Sequence, residues 1–195
     1  MELQPQDFYE IELKAILDKA KYEQLNQILN SDPKYQLINT ETIKTDFYKA
    51  DADKTDVRLR LSDKTIEIVY KQGLITKICR REIKIPLQSE KKLECFRQVF
   101  DALPLDKQRH TIKHKQEFLY NFNGYDYVLC LQYIEELAYI LEVEYLGQSE
   151  EESQIHEPNL KAIIAELGVS LIDGEKYLKR VEDYKKGLNV LDYEI

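Results

Sequence analysis

The 195 residues, 43% hydrophobic and 33% charged, suit one ordinary globular domain that can bury a core without disulfides or structural metals. A formal net charge of −8 argues against a general nucleic-acid binder, but not against an anionic ligand held by a local basic cluster. Cys79, Cys95 and Cys130 form no C-x-x-C pair, and His110, His114 and His156 form no zinc pattern. The N-terminus has no secretory signal, and no apolar run approaches the ~20 residues of a membrane span. The expectation is a cytoplasmic protein with reduced thiols, needing neither membrane nor nucleic acid as partner.

In chain order, residues 8–17 (FYEIELKAIL) open with period-two alternation, which predicts a strand. A helix is expected over 18–30, with Asp18 as N-cap and Tyr22, Leu25, Ile28 and Leu29 on one face. Strands follow at 35–48, 56–62, 65–71 and 74–86, with short turns at Ser62-Asp63-Lys64 and Gln72-Gly73. Residues 89–103 read as a helix that starts at Ser89 and presents Leu93, Phe96, Val99, Phe100 and Leu103. Three more strands run over 109–120, 125–134 and 138–147. The Asn-Gly of NFNGYD at 121–126 marks a tight hairpin between the first two. The acidic stretch 148–158 (QSEEESQIHEP) reads as a loop. A helix is expected from Pro158 to Gly168, and another from Asp173 to about Lys186. The chain is therefore α+β, mostly antiparallel, with enough strands to close a barrel.

The polar faces of these strands carry unusual charge. Glu10, Glu12 and Lys14 oppose Ile11 and Leu13, and Arg58 and Arg60 oppose Val57, Leu59 and Leu61. Lys71 shares a face with Glu67 and Val69. Arg80, Glu82 and Lys84 alternate with Arg81, Ile83 and Ile85. Lys113 and Lys115 flank His114, while Glu142 and Glu144 alternate with Leu141, Val143 and Tyr145. Each strand alone could be the solvated face of a half-exposed sheet. Taken together, the apolar faces need covering by the helices, which turns the charged faces inward if the sheet closes. Charges crowded inside a barrel are costly unless paired or holding a ligand. A polyanion with a metal resolves the conflict, basic groups taking phosphate and carboxylates taking the cation.

These residues resemble the CYTH superfamily, the triphosphate tunnel metalloenzymes. Glu10-Ile11-Glu12-Leu13-Lys14 matches its ExExK opening. Asp46-Phe47-Tyr48, Arg58-Leu59-Arg60 and Tyr70-Lys71-Gln72-Gly73 are similar to later segments of the family, in order. Arg80-Arg81-Glu82-Ile83-Lys84, Lys113-His114-Lys115 and Glu142-Val143-Glu144 continue the series to residue 147, with a weaker echo in the C-terminal helices. Four positions depart from the family pattern: Lys84 replaces an acid, Lys115 an Arg, Gln132 an acid and Ala138 a Gly.

The resemblance implies a single domain over 1–195 built as an eight-stranded antiparallel barrel, a triphosphate tunnel, with strands over about 8–147 and helices over about 158–187. It implies metal ligands at Glu10, Glu12, Glu142 and Glu144, oxygen donors suited to Mg²⁺ or Mn²⁺. It implies triphosphate contacts from Lys14, Arg58, Arg60, Lys71, Arg80, Lys113 and Lys115, with Glu12 and Lys14 at the catalytic centre. The expected partner is a small-molecule triphosphate or nucleoside triphosphate, and monomer and homodimer stay open. The expected activity is metal-dependent triphosphate hydrolysis. The alternatives are a class IV-type adenylyl cyclase making cyclic AMP and pyrophosphate, or a non-catalytic triphosphate sensor.

Overall fold

The structure is a computed structural model that describes residues 4–51, 55–73, 76–107 and 110–193. Among the described residues, nine strands and four α-helices follow in the order β1 (Gln6–Leu17), α1 (Lys19–Ser31), β2 (Gln36–Asp51), β3 (Thr55–Leu61), β4 (Ile66–Gln72) and β5 (Cys79–Pro86). After them come α2 (Glu90–Ala102), β6 (Asp106–Lys107), β7 (Thr111–Phe122), β8 (Tyr125–Ile134), β9 (Ala138–Gly147), α3 (Ser153–Glu166) and α4 (Gly174–Lys185). The sheet order is β3-β4-β5-β1-β9-β8-β7-β2, and β2 also pairs β3, so eight strands form a closed ring with every pair antiparallel. Two-residue β6 adds to β2 at the rim.

Local chemistry explains the joints. Asn123 and Gly124 both take positive φ (53° and 83°), the hairpin turn that an Asn-Gly pair favours, and they return β7 into β8. Sixteen-residue β2 is too long to follow the ring without bending. Its ladder slips against β7 between Leu37 and Asn39, a bulge of the kind that bends and twists strands. The Asp18 carboxylate accepts the Lys21 N–H at 2.7 Å to start α1, and Asp173 accepts from Glu175 and Lys176 to start α4. Gly168, at φ 63°, ends the α3 segment: Val169 N–H reaches back to the Ile164 carbonyl and Gly168 N–H to that of Ala165.

Two expectations need correction. The stretch 148–158 is not a loop: a 3₁₀ turn at Glu150–Glu152 leads straight into α3 at Ser153, so Pro158 lies inside the helix. The start is moved forward by Glu152, whose carboxylate accepts the N–H groups of Gln148 and Ser149 at 2.6 and 3.0 Å. The strand expected from 74 begins at Cys79, and residues 74–75 lie outside the described residues, as does residue 109 at the start of another expected strand.

The outward faces of the barrel are apolar and covered. Ile11, Leu13, Leu129, Leu131, Leu141 and Val143 pack beneath α1 and α3, which contribute Leu25, Leu29, Leu160, Ile163 and Ile164. Tyr48, Leu59 and Ile68 pack under Leu93 of α2, and the Tyr48 hydroxyl donates to Asp101 at 2.9 Å, so Tyr48 is a core residue outside the ring. The remaining expected face of α2 is less buried: Phe96, Val99 and Leu103 are exposed. Tyr177 and Tyr184 of α4 and Val190 pack on Ile16, Ile134, Leu137 and Ile140, which seats α4 at one end of the barrel. Backbone bonds from Ile172 to Lys14 and from Val190 to Glu136 hold both flanks of α4 there.

The α3 contact carries much of this packing. Ile163→Ala, at a fully buried position, is expected to destabilise the fold by about 2–5 kcal/mol through lost transfer energy plus a cavity. Urea unfolding would read this as a lower midpoint with an unchanged slope.

Candidate functional site in the barrel interior

Alternation fixes what faces inward. On β1, Ile11, Leu13 and Ala15 face the helices, so Glu10, Glu12 and Lys14 must face the lumen. The same logic turns Asp56, Arg58 and Arg60 of β3 and Lys71 of β4 inward, with Arg80 and Glu82 of β5. Lys113, Lys115 and Glu117 of β7, Cys130 and Gln132 of β8, and Glu142 and Glu144 of β9 complete the lining. Glu10, Glu12, Arg58, Lys71, Arg80, Glu82 and Gln132 are all buried.

Antiparallel register then decides which charges meet. Glu12 sits opposite Glu144 across β1 and β9, and Lys14 sits opposite Glu142. Glu10, Glu12 and Glu144 each bring a carboxylate oxygen within 4.8 Å of the others, a group able to hold a hard cation. Glu142 departs from the expected set: it lies 3.4 Å from Lys14 and accepts a hydrogen bond from the Gln132 amide, outside that three-carboxylate group. The Gln132 carbonyl oxygen is fully buried and has no hydrogen-bond partner.

The basic residues surround this group. Lys71 pairs with Glu10 and lies 2.5 Å from Glu82. Arg80 donates to Glu12 at 2.6 Å and lies 3.7 Å from Glu10 and 3.8 Å from Asp56. Arg58 makes a forked contact to Asp56 at 2.6 and 3.0 Å. Arg60 bonds Glu67 at 3.2 Å. Lys115 bonds Glu117 at 2.8 Å and reaches Glu41 at 3.2 Å, while Asn39 donates to both of those carboxylates, filling the end of the barrel away from α4. Lys84 lies 3.3 Å from Glu82, an internal pair. Lys113 makes no ion pair among the described residues.

Protonation follows from burial and neighbours. Burial lifts Glu144, and Glu10, Glu142 and Glu12 lift it further, to about 8. Burial works the same way on Glu12, but Lys14, Lys71 and Arg80 outweigh it and hold this carboxyl well below its usual range. Burial lowers Lys113 to about 8, with Glu142 opposing and Arg60, Lys115 and Arg58 adding to the fall. Burial also pushes the Cys130 thiol well up, with Glu144 the next cause.

Period two alone signals Asp56 and Glu117, on the same faces as Arg58 and Lys115, yet neither was among the expected site residues. Glu41, Cys130 and Tyr177 were not legible: their positions depend on register across the ring or on where α4 docks.

One guanidinium stands out. Arg80 is 1% exposed, yet its Nε and Nη1 have no hydrogen-bond partner. Buried donors left unpaired are costly, and a guanidinium fork matches phosphate oxygens. The lumen thus combines spare buried donors with a carboxylate group suited to a cation.

No helix among the described residues is long and apolar enough to cross a membrane. No curated protein sequence matches the chain. Among solved structures, the PH1819 protein from Pyrococcus horikoshii OT3 superposes with a TM-score of 0.68 at 19% identity, covering 90% of this chain and 99% of that one. A provisionally assigned adenylate cyclase from Bacillus halodurans gives 0.55 at 16% identity, over 89% and 97%. A provisionally assigned adenylyl cyclase from Hippeastrum, described as having a dominant triphosphatase activity, gives 0.58 at 14% identity, over 91% and 96%. At these identities the likeness is one of fold. The sequence model of the CYTH domain matches residues 9–176, so the chain belongs to the CYTH domain family.

Proposed function

We propose that the protein binds a triphosphate with a divalent cation, Mg²⁺ or Mn²⁺, inside the barrel and hydrolyses its terminal phosphoanhydride. The observation that carries this reading is Arg80: a buried guanidinium with two unpartnered nitrogens beside a group of three carboxylates. Free donors call for an anion, and crowded carboxylates call for a cation. A metal-bound polyphosphate supplies both. Membership of the CYTH domain family and the triphosphatase activity described for the Hippeastrum neighbour support the same chemistry.

In this reading Arg58, Arg60 and Arg80 fork onto phosphate oxygens, and Lys14, Lys71, Lys113 and Lys115 add point charges along the chain. Glu10, Glu12 and Glu144 would hold the cation. When bound, the cation would neutralise charge developing on the phosphoryl oxygens. Lys14 bridges Glu12 and Glu142, so it keeps the carboxylate group in register with the phosphate contacts. Phosphoryl transfer asks mainly for such positioning and electrostatic stabilisation. Products decide the reaction: metal-dependent orthophosphate release supports hydrolysis. Cyclic AMP with pyrophosphate from ATP would instead make the protein a cyclase, and binding without turnover a sensor.

A pH dependence follows from Lys113. Free, it titrates near 8, and a bound polyanion raises that value. Without the metal, the Lys113 contribution to triphosphate affinity should therefore be full below pH 8 and decline as pH rises through 8 toward the bound-state value. Metal-free calorimetry near pH 8 in buffers of different ionisation enthalpy should show proton uptake on binding, lost in Lys113→Met.

A further inference from the structure

Of the four expected metal ligands, Glu142 alone stands outside the three-carboxylate group, and both of its oxygens are occupied. One lies 3.4 Å from the Lys14 ammonium. The other accepts a hydrogen bond from the Gln132 side-chain amide. The two residues are not cross-strand partners. Register sets Glu142 of β9 opposite Cys130, and Gln132 of β8 opposite Ile140, so the amide reaches diagonally along the sheet to make this bond. Glu142 thereby lines the cavity of about 350 Å³ beneath α4, together with Lys14 and Lys113.

Packing alone does not explain a glutamine at this place. Gln132 is 0% exposed, yet its carbonyl oxygen has no hydrogen-bond partner. A buried acceptor left unpaired lowers stability, and a methionine would fill much the same space without one. What methionine lacks is the amide N–H. A carboxylate would not serve either, since it would repel Glu142 and need a counter-charge of its own. A neutral donor holds an anion while adding no charge. Lys14 is the less constant partner of Glu142: it lies closer to Glu12, at 2.6 Å, and in the proposed function it also contacts phosphate. A buried carboxylate deprived of its partner would turn to the nearest cation. The bond from Gln132 does not depend on where Lys14 points.

We infer that Gln132 is a positioning residue: its amide withholds Glu142 from the cation and limits the cation centre to Glu10, Glu12 and Glu144. This rests on the proposed cation-binding role of that group and adds which carboxylate is kept out of it, and by what. Glu142 then stays beside Lys14 and Lys113 whether or not the cation is bound.

The test titrates the full chain with Mn²⁺ alone and reads its affinity from the electron paramagnetic resonance signal of the free ion. Glu144→Gln is expected to weaken Mn²⁺ binding by about tenfold or more, and Glu142→Gln by about threefold at most. Gln132→Met releases Glu142 to the cation. In that background, adding Glu142→Gln is therefore expected to weaken binding by about tenfold, a coupling that a purely structural role for Gln132 would not produce. Glu142→Gln as damaging as Glu144→Gln would overturn the inference, and this comparison needs no variant of Gln132. An equal effect of Glu142→Gln with and without Gln132→Met would overturn it too. Failure of Mn²⁺ to bind the wild-type chain would remove the preformed cation centre and this inference with it, a result distinct from binding that ignores Gln132.

Discussion

Glu12→Gln should reduce metal-dependent turnover by about 10³-fold, with the fold retained. Glu12 holds three things at once: an oxygen in the three-carboxylate group, the Lys14 ammonium at 2.6 Å and the Arg80 guanidinium at 2.6 Å. The amide keeps the shape but removes the charge, so the cation loses an anionic ligand. A bound cation contributes several kcal/mol of transition-state stabilisation, and about 4 kcal/mol corresponds to 10³ in rate. Steady-state phosphate release across a Mg²⁺ titration, with circular dichroism as the fold control, checks it. Raised Mg²⁺ should recover only part of the loss. Unchanged turnover would take β1 out of the site.

Arg80→Met should weaken triphosphate binding by about 100-fold or more. Two unpartnered nitrogens of this side chain are available to phosphate, and each charge-assisted hydrogen bond contributes about 1.5–3 kcal/mol. Two such bonds correspond to roughly two to four powers of ten in affinity. The same change removes one of the two 2.6 Å partners of Glu12 and a second, 3.8 Å partner of Asp56. A loss of stability is therefore expected as well, and binding must be measured well below the variant's melting temperature. Arg80→Lys keeps the charge but not the fork, and should fall between the two. Equal affinity in wild type and Arg80→Met would mean that the spare donors serve no anion.

Much of the ring could be read from sequence because alternation is strong where one face of a strand meets helices and the other meets charge. The segments around Glu10–Lys14, Val57–Leu61 and Leu141–Glu144 carry apolar and charged residues in strict turn, which leaves one way to orient each strand. What alternation cannot supply is register. Glu142 and Glu144 look equivalent along β9, but the pairing with β1 sets Glu144 against Glu12 and Glu142 against Lys14. One thereby joins the carboxylate group and the other an ion pair. Two carboxylates placed opposite each other are themselves a sign of something yet to be bound, visible only once the pairing is known. The start of α3 was hidden for a local reason. Ser149–Ser153 has no apolar periodicity, and its helical turn is fixed by one carboxylate, that of Glu152, closing on two backbone N–H groups. The cavity beneath α4 was hidden for a distant one: Lys14 and Tyr177 are 163 positions apart in sequence and line one cavity only because α4 docks on the barrel end.

The central claim is that the barrel interior is a site for a metal-bound triphosphate. Titration calorimetry of the full chain with inorganic triphosphate, with and without Mg²⁺, tests it most directly. Saturable one-to-one binding, tighter with Mg²⁺ and at least about 100-fold weaker in Arg80→Met, is the predicted result. Absence of binding in either condition, or binding indifferent to both Mg²⁺ and Arg80, would contradict it.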